Sequence, residues 1–192
     1  MTCKVHWHQN RFSLSFVVYI LLLFWTQTSY ADNIPYIYQK IAYENHIPPV
    51  ILYGIALTES GKTLRTNKYR PWPWTLNVAV IPRRYSSRKA AWKGLLFYLQ
   101  QGIKSIDIGI MQVNWKYHHK NLGTPWQALE PVNNTQTGAR ILSAEYKKTG
   151  LWKIAIGRYH SPGGKPVQQK RAENYARRVL NQLKMVGKTN PF

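Results

Sequence analysis

Acids and cysteine are what this chain has least of. Seven Asp or Glu stand against twenty-seven Lys or Arg in 192 residues, and there is one cysteine. That residue, Cys3, precedes an apolar N-terminal run, so the rest of the chain has neither a disulfide nor a thiol nucleophile. A lipoprotein cysteine would follow such a run instead. Metal-ligand spacing is missing too. Beyond the N-terminal segment the histidines are His46, His118, His119 and His160. Zinc hydrolases set paired ligands two apart on a strand or four apart on a helix, whereas adjacent residues such as His118 and His119 diverge in either. No Gly-x-Ser-x-Gly elbow presents a serine nucleophile, and there is no internal repeat. The sequence predicts no metal, no cofactor, and a stability that rests on packing.

The N-terminus has the three parts of a secretory signal. Lys4 and Arg11 are basic, Leu14 to Trp25 is apolar, and Ser29-Tyr30-Ala31 puts small residues where a signal peptidase reads. Cleavage is expected after Ala31, leaving Asp32 first. An uncleaved anchor is the alternative, but the apolar run rises only about 18 Å as a helix, short of a bilayer core. The expectation is an exported, periplasmic protein that meets the membrane only through this segment before cleavage. Residues 32–186 are enough for one domain with one core, and 187–192 read as a loose tail. The net charge of +20 makes an acidic polymer the default partner. Nucleic acid, anionic lipid and peptidoglycan, whose peptide stems carry carboxylates, all qualify. Export, and the lack of a basic recognition helix, zinc-finger spacing or RNA-binding aromatic signature, count against nucleic acid.

Helical periods dominate the remainder. Pro35 to Asn45 reads as a first helix, and Pro48-Pro49 open a second, where a fixed φ is tolerated. Ser86 or Ser87 caps a third that runs to Gly102. Asn133 or Asn134 caps a fourth ending at Gly150; a short helix from Leu151 to about Tyr159 follows. The last, Gln169 to Met185, buries Tyr175, Val179 and Leu183. Tyr69 to Arg84, with three prolines and two tryptophans, reads as an ordered loop or short hairpin. Ile106 to Ile110 alternates with period two, a short strand with Asp107 on the face opposite the isoleucines.

In a chain so poor in acids, a carboxylate in an apolar helix stands out. Val50 to Leu57 is apolar almost all round, and Gly61 supplies the stop. Glu59 therefore falls in the last turn, where the helix dipole and burial both disfavour the charged form and raise the pKa. Such a carboxyl suits general-acid work on a poor leaving group. On spacing alone, a solvated Glu at a frayed helix end fits equally.

Three fragments, in chain order, resemble one family. Thr58-Glu59-Ser60-Gly61 resembles the catalytic Glu-Ser motif of lytic transglycosylases of the soluble, goose-lysozyme-like group. Gly109-Ile110-Met111-Gln112-Val113-Asn114 is similar to their Gly-Leu-Met-Gln block, and Ala155 to Ser161 to their Ala-Tyr-Asn-x-Gly region, with Tyr159 at the tyrosine. Pro71 to Val78 and Tyr159-His160-Ser161-Pro162 further resemble the branch found with conjugative and type IV secretion or pilus systems. The resemblance implies a mainly α, lysozyme-like (α+β) single domain with a small β element beside the cleft. It implies cleavage of the MurNAc-GlcNAc β-1,4 bond with 1,6-anhydro-MurNAc formation, Glu59 serving as acid and then base. Ser60 would contact substrate or the catalytic carboxyl, Met111, Gln112 and Asn114 would line the cleft, and Tyr159 would orient Glu59. Transenvelope secretion or conjugation machinery is the implied partner beside peptidoglycan.

Two positions qualify this. The family's Asn after the motif tyrosine is His160 here, as in the branch just named. Asp107 to Asn114 also resembles the Asp-Tyr-Gly-Ile-Leu-Gln-Ile-Asn run of chicken-type lysozymes, whose Asp is a second carboxylate. A hydrolase using Glu59 and Asp107 is thus one alternative, and a non-catalytic murein-binding assembly factor another. Against the hydrolase stand the long Gly61–Ile103 connection and the missing disulfides. Trp72 and Trp74 fit either a stacking platform for sugar or a lock for a long insertion, Trp92 and Trp152 fit the core, and Trp115 fits a cleft wall.

Overall fold

The computed structural model describes residues 34–185, so the expected signal segment (1–31), its cleavage site and the tail (187–192) lie outside them. The described residues open with helices α1 (Tyr36–Glu44) and α2 (Pro49–Ser60), then strands β1 (Gly61–Thr63), β2 (Tyr69–Pro71), β3 (Thr75–Val78) and β4 (Ile81–Arg84). Helix α3 (Arg88–Gln100) leads to β5 (Ile106–Ile108) and β6 (Val113–Asn114). Five helices finish it: α4 (Trp115–Leu122), α5 (Pro125–Ala128), α6 (Pro131–Thr149), α7 (Trp152–His160) and α8 (Pro166–Met185). The result is mainly helical with a small antiparallel β element, the lysozyme-like α+β class expected from the sequence.

Helix α2 is the central rod. Every residue from Ile51 to Leu57 is buried, and each large aliphatic side chain so enclosed contributes about 1.5–3 kcal/mol. Gly54 lets α8 come close, since a Cβ there would lie 2.8 Å from Leu183 Cδ2. The Tyr175, Val179 and Leu183 stripe of α8 is buried. With Leu183 at Gly54 and Tyr175 at Glu59, α8 runs antiparallel to α2 and carries its stripe along to the helix end. Gly61 does end α2, but with φ −53° and ψ 137° rather than a left-handed cap. Glycine is needed there because a Cβ would run into the Tyr69 hydroxyl and the Leu57 carbonyl.

The Pro- and Trp-rich stretch holds strands β2 to β4. Strand order β4-β3-β5-β6 makes a four-stranded antiparallel sheet, with β1 and β2 as a separate pair. Trp72 donates its indole N–H to the Tyr85 carbonyl at 2.8 Å and meets Trp74 edge-on at 5.4 Å, which locks the insertion. Trp152 stacks on Tyr146 at 3.8 Å and Trp92 meets Trp126 edge-on at 5.8 Å; both are half-buried rather than enclosed. Ser87 caps α3 by accepting from the Ala90 N–H.

The fourth expected helix is the clearest correction. It starts at Pro131, and Glu130 is its cap, accepting from the Asn133 N–H. Asn133 and Asn134 lie inside the helix, and Asn134 is fully buried. Its Oδ1 accepts from the Met111 N–H at 2.8 Å, and its Nδ2 donates to the Ile108 and Ala128 carbonyls at 2.9 and 3.0 Å. One side chain thus joins α6, β5 and the turn before β6. Asn134→Ala would strand three buried backbone groups and is expected to cost about 3 kcal/mol, read as a lowered urea midpoint. Helices α4 and α5 were not among the expected elements; both are short and capped by polar side chains, Asn114 and Thr124. Among the described residues no helix is long and apolar enough to cross a membrane.

Candidate active site

The end of α2 meets one face of the four-stranded sheet, and α7 and α8 close the other side. The space between them is a cleft of about 480 Å³. Its floor follows from strand register. Pro82, Asn77, Asp107 and Asn114 stand opposite one another in a row across β4, β3, β5 and β6. One row along, Arg84 faces Thr75. Alternation along a strand puts both rows on the same face, and all six residues line the cleft.

Glu59 enters from the last turn of α2. Tyr175 donates its hydroxyl to Glu59 Oε1 at 2.6 Å. Burial pushes the Glu59 carboxyl up to about 7; the negative charge of Asp107 adds to this, while the Tyr175 hydrogen bond and the Arg178 charge oppose it. A carboxyl so poised holds its proton near neutrality yet still gives it up, as a group that acts as acid and then as base must. The Tyr175 ring is itself held. The His160 imidazole stacks on it at 4.6 Å, tilted by 2°, and the Arg178 guanidinium lies 5.4 Å from its centre. Burial pushes the His160 imidazole down, and the Arg178 charge pushes the same way.

Asp107 is half-buried on the floor. Asn114 Nδ2 donates to its Oδ1 at 2.8 Å and Asn77 Nδ2 to its Oδ2 at 3.2 Å. Burial raises the Asp107 carboxyl above the usual range against the pull of both amides. Its side chain does lie on the face opposite Ile106 and Ile108, which are fully buried.

The residues expected around Glu59 divide. Gln112, Asn114, Tyr159 and His160 line the cleft with Asp107. Ser60 and Met111 do not, because both are fully buried. Ser60 donates its hydroxyl to the Ile110 carbonyl at 2.8 Å, tying α2 to the turn before β6. Met111 packs its side chain against Gly138 of α6. Tyr159 is the larger correction. Its hydroxyl donates to the Met111 carbonyl at 2.7 Å, so it braces the turn, and Tyr175 is the tyrosine on Glu59. The sequence read Tyr175 as core; a hydroxyl on a buried stripe needs a partner, and that was the signal available. Gln112 sits at φ +47°, and its Nε2 donates to the Gly109 carbonyl at 2.7 Å. Gly109 is required at φ +80°, where a Cβ would lie 2.6 Å from Asn134 Nδ2. Trp72, Trp74 and Trp115 stand outside the cleft lining, whereas Tyr117, which the sequence did not single out, and His118, weighed there only as a metal ligand, are in it. Among the described residues no group of three or more His, Cys, Asp or Glu is placed to hold a metal ion.

A raised carboxyl held by a tyrosine, over a polar sheet floor in a cleft, is an arrangement suited to acid catalysis. Neither the curated proteins nor the solved structures compared with this chain gave a match. A protein-family model, Transglycosylase SLT domain, matches residues 36–182, which takes in every residue that lines the cleft. The chain belongs to the transglycosylase SLT domain family and is a transglycosylase-type enzyme of peptidoglycan.

Proposed function

We propose that this protein cleaves the MurNAc-GlcNAc β-1,4 bond as a lyase, with Glu59 as the one carboxyl that moves protons. Protonated Glu59 gives its proton to the glycosidic oxygen as the C1–O bond breaks, and GlcNAc leaves with a free 4-hydroxyl. The N-acetyl oxygen of the muramoyl sugar stabilises the cationic C1. The C6 hydroxyl oxygen then bonds to C1 and its proton passes to the Glu59 carboxylate, which restores the acid and gives a 1,6-anhydro end. The observation that carries this reading is the Glu59 carboxyl near pKa 7 under the Tyr175 hydroxyl, a group able to serve in both steps.

The presence of Asp107 in the same cleft supports the second reading, a hydrolase with two carboxylates. Its two oxygens are engaged by Asn77 and Asn114, which favours a role in shaping the floor. The poised Glu59 likewise favours turnover over a purely binding assembly factor. Product analysis separates the readings. Peptidoglycan digested with the chain starting at Asp32 is expected to yield muropeptides with 1,6-anhydro ends, each lighter by one water than a hydrated end. Hydrated reducing ends would instead make Asp107 a catalytic residue. Asp107→Asn is expected to lower kcat by less than about tenfold and to leave the anhydro product unchanged, because a group outside proton transfer forgoes the larger general-acid factor.

The signal-like N-terminus supports action in the periplasm. The residues around Trp72 and His160 support service to a conjugative or type IV secretion apparatus that needs the wall opened locally. Fractionation of the expressing cell, with the mature N-terminus determined, tests the first of these.

A further inference from the structure

We infer that the outer strand of the cleft floor, with Val80, Pro82 and Arg84, reads the peptide stem of the glycan being cut, and that Arg84 takes a stem carboxylate. This rests on the peptidoglycan reading above and adds to it the substrate class: strands that still carry their stems.

The hairpin between β3 and β4 turns at Ala79 and Val80, with φ +50° and +61°. Two-residue turns with both residues in that region favour Asn and Gly. A β-branched residue there is a conformational outlier, and such outliers concentrate where a ligand is met. Nothing in the fold compensates for Val80, whose side chain is 90 % exposed. It lies on the cleft wall. Pro82 and Arg84 follow at alternate positions of β4, on the face shared with Asn77 and Asp107. Pro82 also makes β4 a poor template for a further strand, so this edge presents side chains rather than backbone.

Arg84 is anchored and still available. Its Nη2 donates to the Gly61 carbonyl at 3.1 Å, two residues beyond Glu59. Among the described residues it takes part in no ion pair, and it lines the cleft from an exposed strand. A guanidinium is shaped to grip a carboxylate through two parallel hydrogen bonds. The strip therefore offers an apolar end at Val80 and Pro82 and a cationic end at Arg84. The sugars themselves have no charge for Arg84. The stem does: a lactyl methyl and an alanine come first, and carboxylates follow.

Binding is measured on the Glu59→Gln protein, which removes turnover, with two glycan fragments of equal sugar length. One retains its stems and the other has been stripped by an amidase. The stem-bearing fragment is expected to bind about fivefold more tightly, the scale of one exposed ion pair with a well-formed partner. Adding Arg84→Ala should bring the two affinities together, and Arg84→Lys should restore part of the difference. Val80→Gly provides a second route: it relieves the left-handed strain, so it should raise the melting temperature while reducing the preference for stems. Equal affinities in the Glu59→Gln parent, or a preference unchanged by Arg84→Ala, would overturn the inference. If the wild type cuts neither fragment, the proposed lyase falls, while the binding ratio still decides the role of Arg84.

Discussion

Replacing Glu59 by Gln is expected to abolish wall lysis, by about a thousandfold or more, while leaving polymer binding largely intact. The size is that of a general acid removed from a reaction with a poor leaving group. Gln keeps the volume and a carbonyl oxygen for the Tyr175 hydroxyl, so the loss isolates the proton. The same variant has a second signature, in stability. The ordinary carboxyl value is 4.5, and in the folded protein burial raises it to about 7. Below about 4.5 both folded and unfolded forms hold the proton and Glu59 is without penalty. Between these values the unfolded state ionises first, which favours unfolding, and above about 7 the whole cost is present. The stability of Glu59→Gln relative to the wild type should therefore grow as pH rises from about 4.5 to about 7 and then level off. Lysis by the wild type should decline over the upper part of the same range as the acid form is lost. Residual lysis by the variant would mean that another group supplies the proton, and a flat stability difference would mean that Glu59 is solvated.

Glu59 was legible because acids are scarce. In a chain with seven of them, one inside an apolar helix is visible without any structure. The long helices were legible for the same kind of reason, since α2 declares itself by a run apolar almost all round and α8 by its period. What the sequence hid was pairing at a distance. Tyr175 lies 116 residues from Glu59, and its place is decided by α8 running antiparallel to α2 over Gly54. Ser60, Met111 and Tyr159 sit in the motifs that carried the family resemblance, yet their hydrogen bonds and packing serve the turn from Ile110 to Gln112. A motif records that a residue is needed and not which neighbour needs it. Asn134 makes the point from the other side. Its composition suggested a cap, because Asn is a good cap, but three backbone groups from other elements reach it first. The cleft floor was half legible: period two placed Asp107 on the open face, whereas the row from Pro82 to Asn114 needed the register of four strands.

Tyr175→Phe is the next largest effect expected, and it tests how the acid is held. The change removes one oxygen and keeps the ring against His160 and near Arg178, so the packing of α8 on α2 survives. Two consequences should separate. Without the hydroxyl the Glu59 side chain is free to leave its productive rotamer, and kcat/KM should fall on the order of tenfold to a hundredfold, the scale of a small misplacement of a reacting group. The hydrogen bond also lowers the Glu59 pKa against the effect of burial. Its removal should push that pKa above about 7, so the alkaline limb of the pH profile should move to higher pH even as the maximum falls. A tyrosine needed only for packing would lower the yield or the melting temperature and leave that limb where it was. Tyr159→Phe supplies the contrast. Its hydroxyl goes to the Met111 carbonyl, so its loss should loosen the turn before β6 and reduce stability with the limb unmoved. If Tyr159→Phe shifts the limb and Tyr175→Phe does not, the orienting role returns to Tyr159, and the 2.6 Å contact between Tyr175 and Glu59 is not the one the reaction uses.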